Sequence, residues 1–158
     1  MKTTRFFVLF VAAATMMLAS CDKENNTADN QDSQTEQDSQ TEKMIIGSWT
    51  ETEAIYIFIQ NGISDTSSLL EDGETSEITF KADKTYHSVY HSLDGDSESN
   101  GTWAVSGNKF TFSDEFGPMI YTIDQLDATV FNISFREEGE DEDGPFSYYN
   151  IIRMTKNQ

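Results

Sequence analysis

Alternation of side-chain character is the pattern that most constrains the fold of this chain, and it runs through residues 44–158. Phe131, Ile133 and Phe135, for example, are separated by Asn132 and Ser134. A period of two places alternate side chains on one face of a strand, as in a sheet with one buried face. The alternation recurs at residues 55–59, 78–81, 102–105, 110–112, 121–123 and 146–154.

Turn signals separate these strands at short intervals. Compact turns are predicted at residues 82–84, 106–108 and 127–128, and longer loops at 94–101 and 139–145. Consecutive strands joined by such turns form an antiparallel meander, and closing a meander into a barrel removes its unpaired edges. We therefore predict an all-β domain over residues 44–158, an up-and-down barrel of about eight strands.

Segments of this region resemble the small lipocalin-like domains of bacterial lipoproteins. Gly47-Ser48-Trp49 resembles the Gly-x-Trp opening of lipocalins, residues 78–86 the second hairpin, and residues 101–110 a second Gly-x-Trp hairpin. Residues 121–126 and 148–153 are similar to the closing strands. The sequence departs from the pattern at Lys84, where the family usually has Gly.

The resemblance implies roles for particular residues. Trp49 is expected to pack against Arg153 and close the narrow end of the barrel, which is a structural role. An eight-stranded barrel has room for packed side chains or for one small ligand. Its candidate pocket residues are Phe80, Tyr86, Tyr90, Tyr121, Phe131 and Phe135. The alternative is that these rings only form the core.

The N-terminus has the pattern of an export signal. Lys2 and Arg5 precede an apolar run over residues 6–19, which is shorter than the roughly 20 residues that span a bilayer. Leu18-Ala19-Ser20-Cys21 resembles the lipobox of bacterial lipoproteins. We predict a signal peptide over residues 1–20 and a lipidated Cys21, so that acyl chains anchor the protein without a transmembrane helix.

Residues 21–43 differ in composition from the domain that follows. They are rich in Asp, Glu, Asn, Gln, Ser and Thr and contain a six-residue repeat at 32–43. Such a segment buries too little apolar area to offset its ordering entropy, which predicts a disordered acidic tether. The expected location is the outer membrane, and the periplasmic face and the cell surface both remain open.

A formal net charge of −18 limits the partners. Phosphate backbones and anionic headgroups are bound by clustered Lys and Arg, so we expect no nucleic-acid partner and membrane attachment through the lipid anchor only. The sequence names no protein partner.

The sequence contains little evidence for a metal site or a catalytic site. His87 and His91 share a strand face but lie roughly 13 Å apart, too far to share one ion. Asp94, Asp96 and Glu98 are weak calcium candidates, because the loop lacks the glycine and terminal glutamate of an EF-hand. No nucleophile elbow, phosphate loop or dinucleotide motif occurs, so we expect no cofactor and no enzymatic activity.

Two functions remain at this point. The first is a membrane-anchored lipoprotein that binds a small hydrophobic or aromatic ligand in its barrel. The alternative is a non-enzymatic accessory protein of an envelope or cell-surface complex, with a filled barrel and functional acidic loops.

Overall fold

The structure, a computed structural model, describes residues 28–158, with side chains from residue 34 onward. The described chain has one helix followed by nine strands. Their bounds are α1 (Ala28–Ile45), β1 (Gly47–Gln60), β2 (Ile63–Ser68), β3 (Thr75–Phe80), β4 (Thr85–Ser92), β5 (Gly95–Ser106), β6 (Lys109–Asp114), β7 (Gly117–Leu126), β8 (Val130–Asp141) and β9 (Gly144–Lys156).

The strands form the predicted closed antiparallel barrel. Each strand from β3 to β9 pairs with the next, and β9 pairs back with β1. On its other edge, β1 pairs with β3 through residues 47–51 and with β2 through residues 55–60. Because β2 and β3 share this edge, they are two pieces of one interrupted strand, and the barrel has eight strand positions.

The two ends of the barrel differ. At the end that contains the turns after β1, β4, β6 and β8, two strand edges have no outer partner: β2 pairs only with β1, and β8 pairs with β7 only through residues 131–134. We call this the open end, and the upper parts of β2, β1, β9 and β8 (residues 55–68 and 135–149) the ribbon. The opposite end, next to α1, is the closed end.

Aromatic side chains fill the barrel toward the closed end. Trp49, Phe110 and Phe131 are fully buried, and the Phe110 ring lies 5.2 Å from the Phe131 ring and 5.5 Å from the Phe80 ring, between centroids. Large aromatic side chains contribute most of the burial energy in a domain of this size. The buried cluster comprises Ile45, Trp49, Ile78, Phe80, Tyr86, Trp103, Phe110, Tyr121, Phe131, Ile133 and Met154.

The closed end is sealed by Trp49 and a lysine, which corrects the expected pairing of Trp49 with Arg153. Lys156 lies opposite Trp49 in the β1–β9 register, with its Nζ 4.9 Å from the Trp49 ring centroid. Arg153 instead pairs with Glu53 on the outside. The physical reason is the alternation of side chains along a strand. Lys156 lies two residues after the buried Met154 and points inward with it, whereas Arg153 is adjacent to Met154 and points outward.

Helix α1 covers most of the segment predicted to be a disordered tether, so that prediction is wrong for residues 28–43. The Ile45 side chain is fully buried at the closed end, and the Trp49 Nε1 donates to the Ile45 carbonyl at 2.7 Å. The Asp38 carboxylate accepts from the Gly107 amide at 2.8 Å. The helix has no apolar stripe that would reveal it in the sequence, and the side chains of Asp38 and Glu42 contact the barrel through polar groups. Residues 21–27 lie outside the described part.

Lys84 also connects α1 to the barrel. Its Nζ lies 2.5 Å from the Glu42 carboxylate and 4.3 Å from the Trp103 ring centroid. The residue has a φ of +69°, the left-handed conformation that explains why the family usually has Gly at this turn. No helix in residues 28–158 is both long and apolar enough to cross a membrane.

Two predicted loops are instead largely strand. Residues 95–101 belong to β5 and pair with β4, and residues 139–141 belong to β8, leaving a two-residue turn before β9. Their polar composition hid these extensions, because strand pairing through the backbone requires no apolar side chains.

Replacing Trp49 with Ala should destabilise the domain by roughly 3–5 kcal/mol, because the change leaves a large cavity in a packed core. Urea unfolding followed by circular dichroism measures this. Phe116→Ala is the matched control, since that ring is 90% exposed. Equal stability of the two variants would contradict the placement of Trp49.

Candidate functional site

A continuous series of aromatic contacts leads from the core to the open end. The Phe112 ring lies 5.7 Å from that of Tyr121, which lies 6.0 Å from Phe135. Phe135 in turn lies 5.7 Å from Tyr148, whose ring is 4.5 Å from that of Tyr56. All distances are between ring centroids. The aromatic interior therefore continues onto the inner face of the ribbon.

The six predicted pocket residues occupy different levels of this interior. Phe80 and Phe131 lie in the fully buried core. Tyr86 and Tyr121 are buried higher up, and Phe135 is partly buried where the ribbon begins. Tyr90 donates its hydroxyl hydrogen to the Glu74 carboxylate, which raises the pKa of Tyr90 to about 12. Phe135 is thus the predicted residue that links the core to the rings of the ribbon.

A polar layer lies between the aromatic core and the ribbon. The Tyr121 hydroxyl donates to the buried Asn150 Oδ1 at 3.1 Å. Burial raises the pKa of Tyr121, and the nearby Tyr148 and Glu51 raise it further. Burial also raises the pKa of Glu51, and a hydrogen bond with Ser76 partly offsets this effect. The barrel interior therefore holds an acidic side chain that the sequence analysis did not identify.

A pocket of about 230 Å³ opens on the inner face of the ribbon. Phe58 faces Asp65 across β1 and β2, and Gln60 faces Ile63. The Phe58 ring centroid also lies 6.0 Å from that of Phe146 on β9. The pocket is lined by Phe58, Gln60, Asn61, Ile63 and Asp65.

Two hydrogen bonds hold the walls of this pocket. The Gln60 side-chain amide donates to the Asp141 carboxylate at 2.8 Å, and the Asn61 amide donates to the Asp143 carbonyl at 2.7 Å. These bonds join the turn after β1 to the turn after β8. Asn61 and Gly62 both have positive φ, at 53° and 77°. An Asn-Gly pair after an alternating run is a strong hairpin signal, and it would have revealed β2 in the sequence.

The histidines and the calcium candidates lie away from this pocket. His87 Nδ1 is 3.0 Å from Asn100 Oδ1, and His91 Nδ1 is 3.0 Å from Asp96 Oδ1. Asp94 and Glu98 are exposed. In the part of the chain that the structure describes, no three His, Cys, Asp or Glu side chains are grouped closely enough to hold a metal ion.

The fold and its interior define a small up-and-down β-barrel with an aromatic core and one open end. The lipocalin-like domain family matches residues 45–158, which is most of the chain, and the chain belongs to this family. Domains of this family generally bind ligands rather than catalyse reactions. No curated protein matches the sequence.

Replacing Glu51 with Gln should stabilise the protein near neutral pH. Burial raises the pKa of Glu51 above its ordinary 4.5, so the folded state holds this proton to higher pH than the unfolded chain does. The contribution of Glu51 to the free energy of unfolding therefore decreases as the pH rises above 4.5. Thermal melting across pH should show an advantage for Glu51→Gln at about pH 7 that disappears below about pH 4.

Glu98→Gln is the control for this prediction, because it removes the same charge from an exposed position on β5. A pH-independent difference between Glu51→Gln and the parent protein would contradict the buried placement of this carboxyl.

Proposed function

We propose that this protein is a membrane-anchored lipoprotein whose barrel binds a small hydrophobic or aromatic ligand at its open end. The observation that carries the proposal is the series of ring contacts that leaves the core and ends at an open pocket on the ribbon. Ligand sites are concave and largely apolar, with a few fixed polar groups, and this pocket has that composition.

The position of the site follows from how the barrel is filled. Toward the closed end, rings contact one another at distances typical of packed aromatic pairs. On the ribbon, Tyr56, Phe58 and Tyr148 are only partly buried and present ring surface to the open end. A ligand therefore lies on the inner face of the ribbon, above the polar layer of Glu51 and Asn150.

The anchor belongs to the same proposal. Cys21 lies outside the described residues, so its lipidation rests on the lipobox sequence Leu18-Ala19-Ser20-Cys21. Helix α1 runs from Ala28 into the closed end. An acyl group on Cys21 would thus be connected to the closed end, leaving the open end free to face away from the membrane. The proposed location is the outer membrane, at its periplasmic face or at the cell surface.

A protein-interaction role is favoured by a separate observation. Leu93 and Phe116, at the tips of the turns after β4 and β6, are 87% and 90% exposed. Both turns lie at the open end, beside exposed acidic residues. Exposed apolar side chains rimmed by polar groups are typical of contact surfaces. This function would replace ligand binding if the barrel proved unable to bind small molecules.

Replacing Cys21 with Ser should release the protein from membranes. Two or more acyl chains are needed for stable anchoring, and the variant has no thiol to receive them. Fractionation of cells producing the full chain measures this, with metabolic labelling by a palmitate analogue as the direct readout. Ser20→Ala keeps the thiol and is the control. Labelling of the Cys21→Ser variant would contradict the assignment.

The neutral fluorophore N-phenyl-1-naphthylamine should bind to the purified domain and gain fluorescence. Tyr148→Leu should weaken its binding about 2- to 10-fold, because an aromatic contact contributes about 0.5–1.5 kcal/mol beyond its burial. Leu93→Ser, at an exposed tip on another hairpin, should leave the affinity unchanged. Absence of binding, or equal affinity of the two variants, would count against ligand binding at the ribbon.

A further inference from the structure

The lysines of the described chain lie at one of the two ends of the barrel. These lysines lie on α1, in the turn after β3, at the start of β6 and at the end of β9, all at the closed end. Arg136 and Arg153 lie on the outer face and pair with Glu138 and Glu53. Among side chains from residue 34 onward, the inner face of the ribbon therefore contains neither Lys nor Arg. The closed-end lysines are Lys43, Lys81, Lys84, Lys109 and Lys156.

Carboxylates occupy the side of the barrel from which the lysines are absent. Asp65 lines the ribbon pocket directly. Glu137 lies opposite Tyr148 in the β8–β9 register. Burial raises the pKa of Tyr148, and the nearby Tyr56 and the charge of Glu137 raise it further. Ion pairs within the described part of the chain involve other acids, so neither Asp65 nor Glu137 has a cationic partner there. The pocket therefore carries a carboxylate, that of Asp65, which no Lys or Arg of the described residues neutralises by an ion pair.

The aromatic rings at the pocket also favour a positively charged ligand. Phe58 lines the pocket, and Tyr56 and Tyr148 continue the ring surface below it. The face of an aromatic ring carries negative quadrupole charge and attracts ammonium groups, by about 0.5–2 kcal/mol according to desolvation. An aromatic wall beside a free carboxylate offers an organic cation both its apolar and its ionic contact.

We propose that the ribbon pocket binds a small organic ammonium cation with an apolar or aromatic body. This inference rests on the proposed ligand-binding function and names the chemical class of the ligand. A pocket of about 230 Å³ has room for a single-ring amine. A bare metal ion fits less well, since Phe58 and Ile63 offer it no ligand atoms.

Three probes of similar size and different charge test this inference: 2-phenylethylammonium, 3-phenylpropan-1-ol and 3-phenylpropionate. Isothermal titration calorimetry with the purified domain at low salt should rank the ammonium first, about tenfold tighter than the alcohol, with the carboxylate weakest. Raising the ionic strength should reduce the preference for the ammonium, because part of its affinity comes from exposed charges.

Two variants locate the site of that preference. Asp65→Asn should weaken binding of the ammonium about three- to tenfold and leave the alcohol unchanged. Glu98→Gln removes one negative charge from the outer face of β5 and should change neither affinity. Phe58→Leu keeps the pocket apolar but removes the ring, so it should weaken the ammonium more than the alcohol.

The outcomes separate this inference from the function on which it rests. If the alcohol or the carboxylate binds as tightly as the ammonium, the charge assignment is wrong while ligand binding stands. If none of the probes binds, and the neutral fluorophore also fails, both proposals fall. Equal effects of Asp65→Asn and Glu98→Gln would show that net charge, rather than the pocket, selects the cation, and would also overturn the inference.

Discussion

The pairing of β1 with β9 is the constraint on which the rest of this structure depends. It joins the two ends of the domain over residues 49–60 of β1 and turns an eight-position meander into a closed barrel. The same register sets Lys156 over the Trp49 ring and brings buried Met154 into the core. Because a shift of one residue would exchange the inner and outer faces of β9, this register decides which side chains form the interior.

The two ends of the barrel are filled differently. Aromatic rings and Ile45, at the end of α1, fill the closed end. The ribbon keeps ring surface and unpaired strand edges at the open end because β2 and the upper part of β8 lack outer neighbours. Under the proposed function, stability and recognition belong to opposite halves of one barrel, as expected where binding groups are carried by a rigid scaffold.

Particular residues show where sequence reasoning succeeded and failed. The alternation around Phe131 and Ile133 correctly predicted inward-facing strand residues, because burial on one face of a sheet imposes that period. The pairing of Trp49 with Arg153 failed, since strand phase places Lys156 rather than Arg153 inside. The pocket was missed because β2, the strand after Asn61-Gly62, has a polar composition and pairs through its backbone.

By itself, the sequence determined the all-β class and the barrel of eight strand positions. These features follow from local periodicity and turn chemistry, which neighbouring residues encode. Only the tertiary structure decided how α1 docks on the barrel, that Glu51 is buried, and that Phe58 and Asp65 line the same pocket. Each of these depends on contacts between distant elements, whose register and strand phase no local pattern specifies.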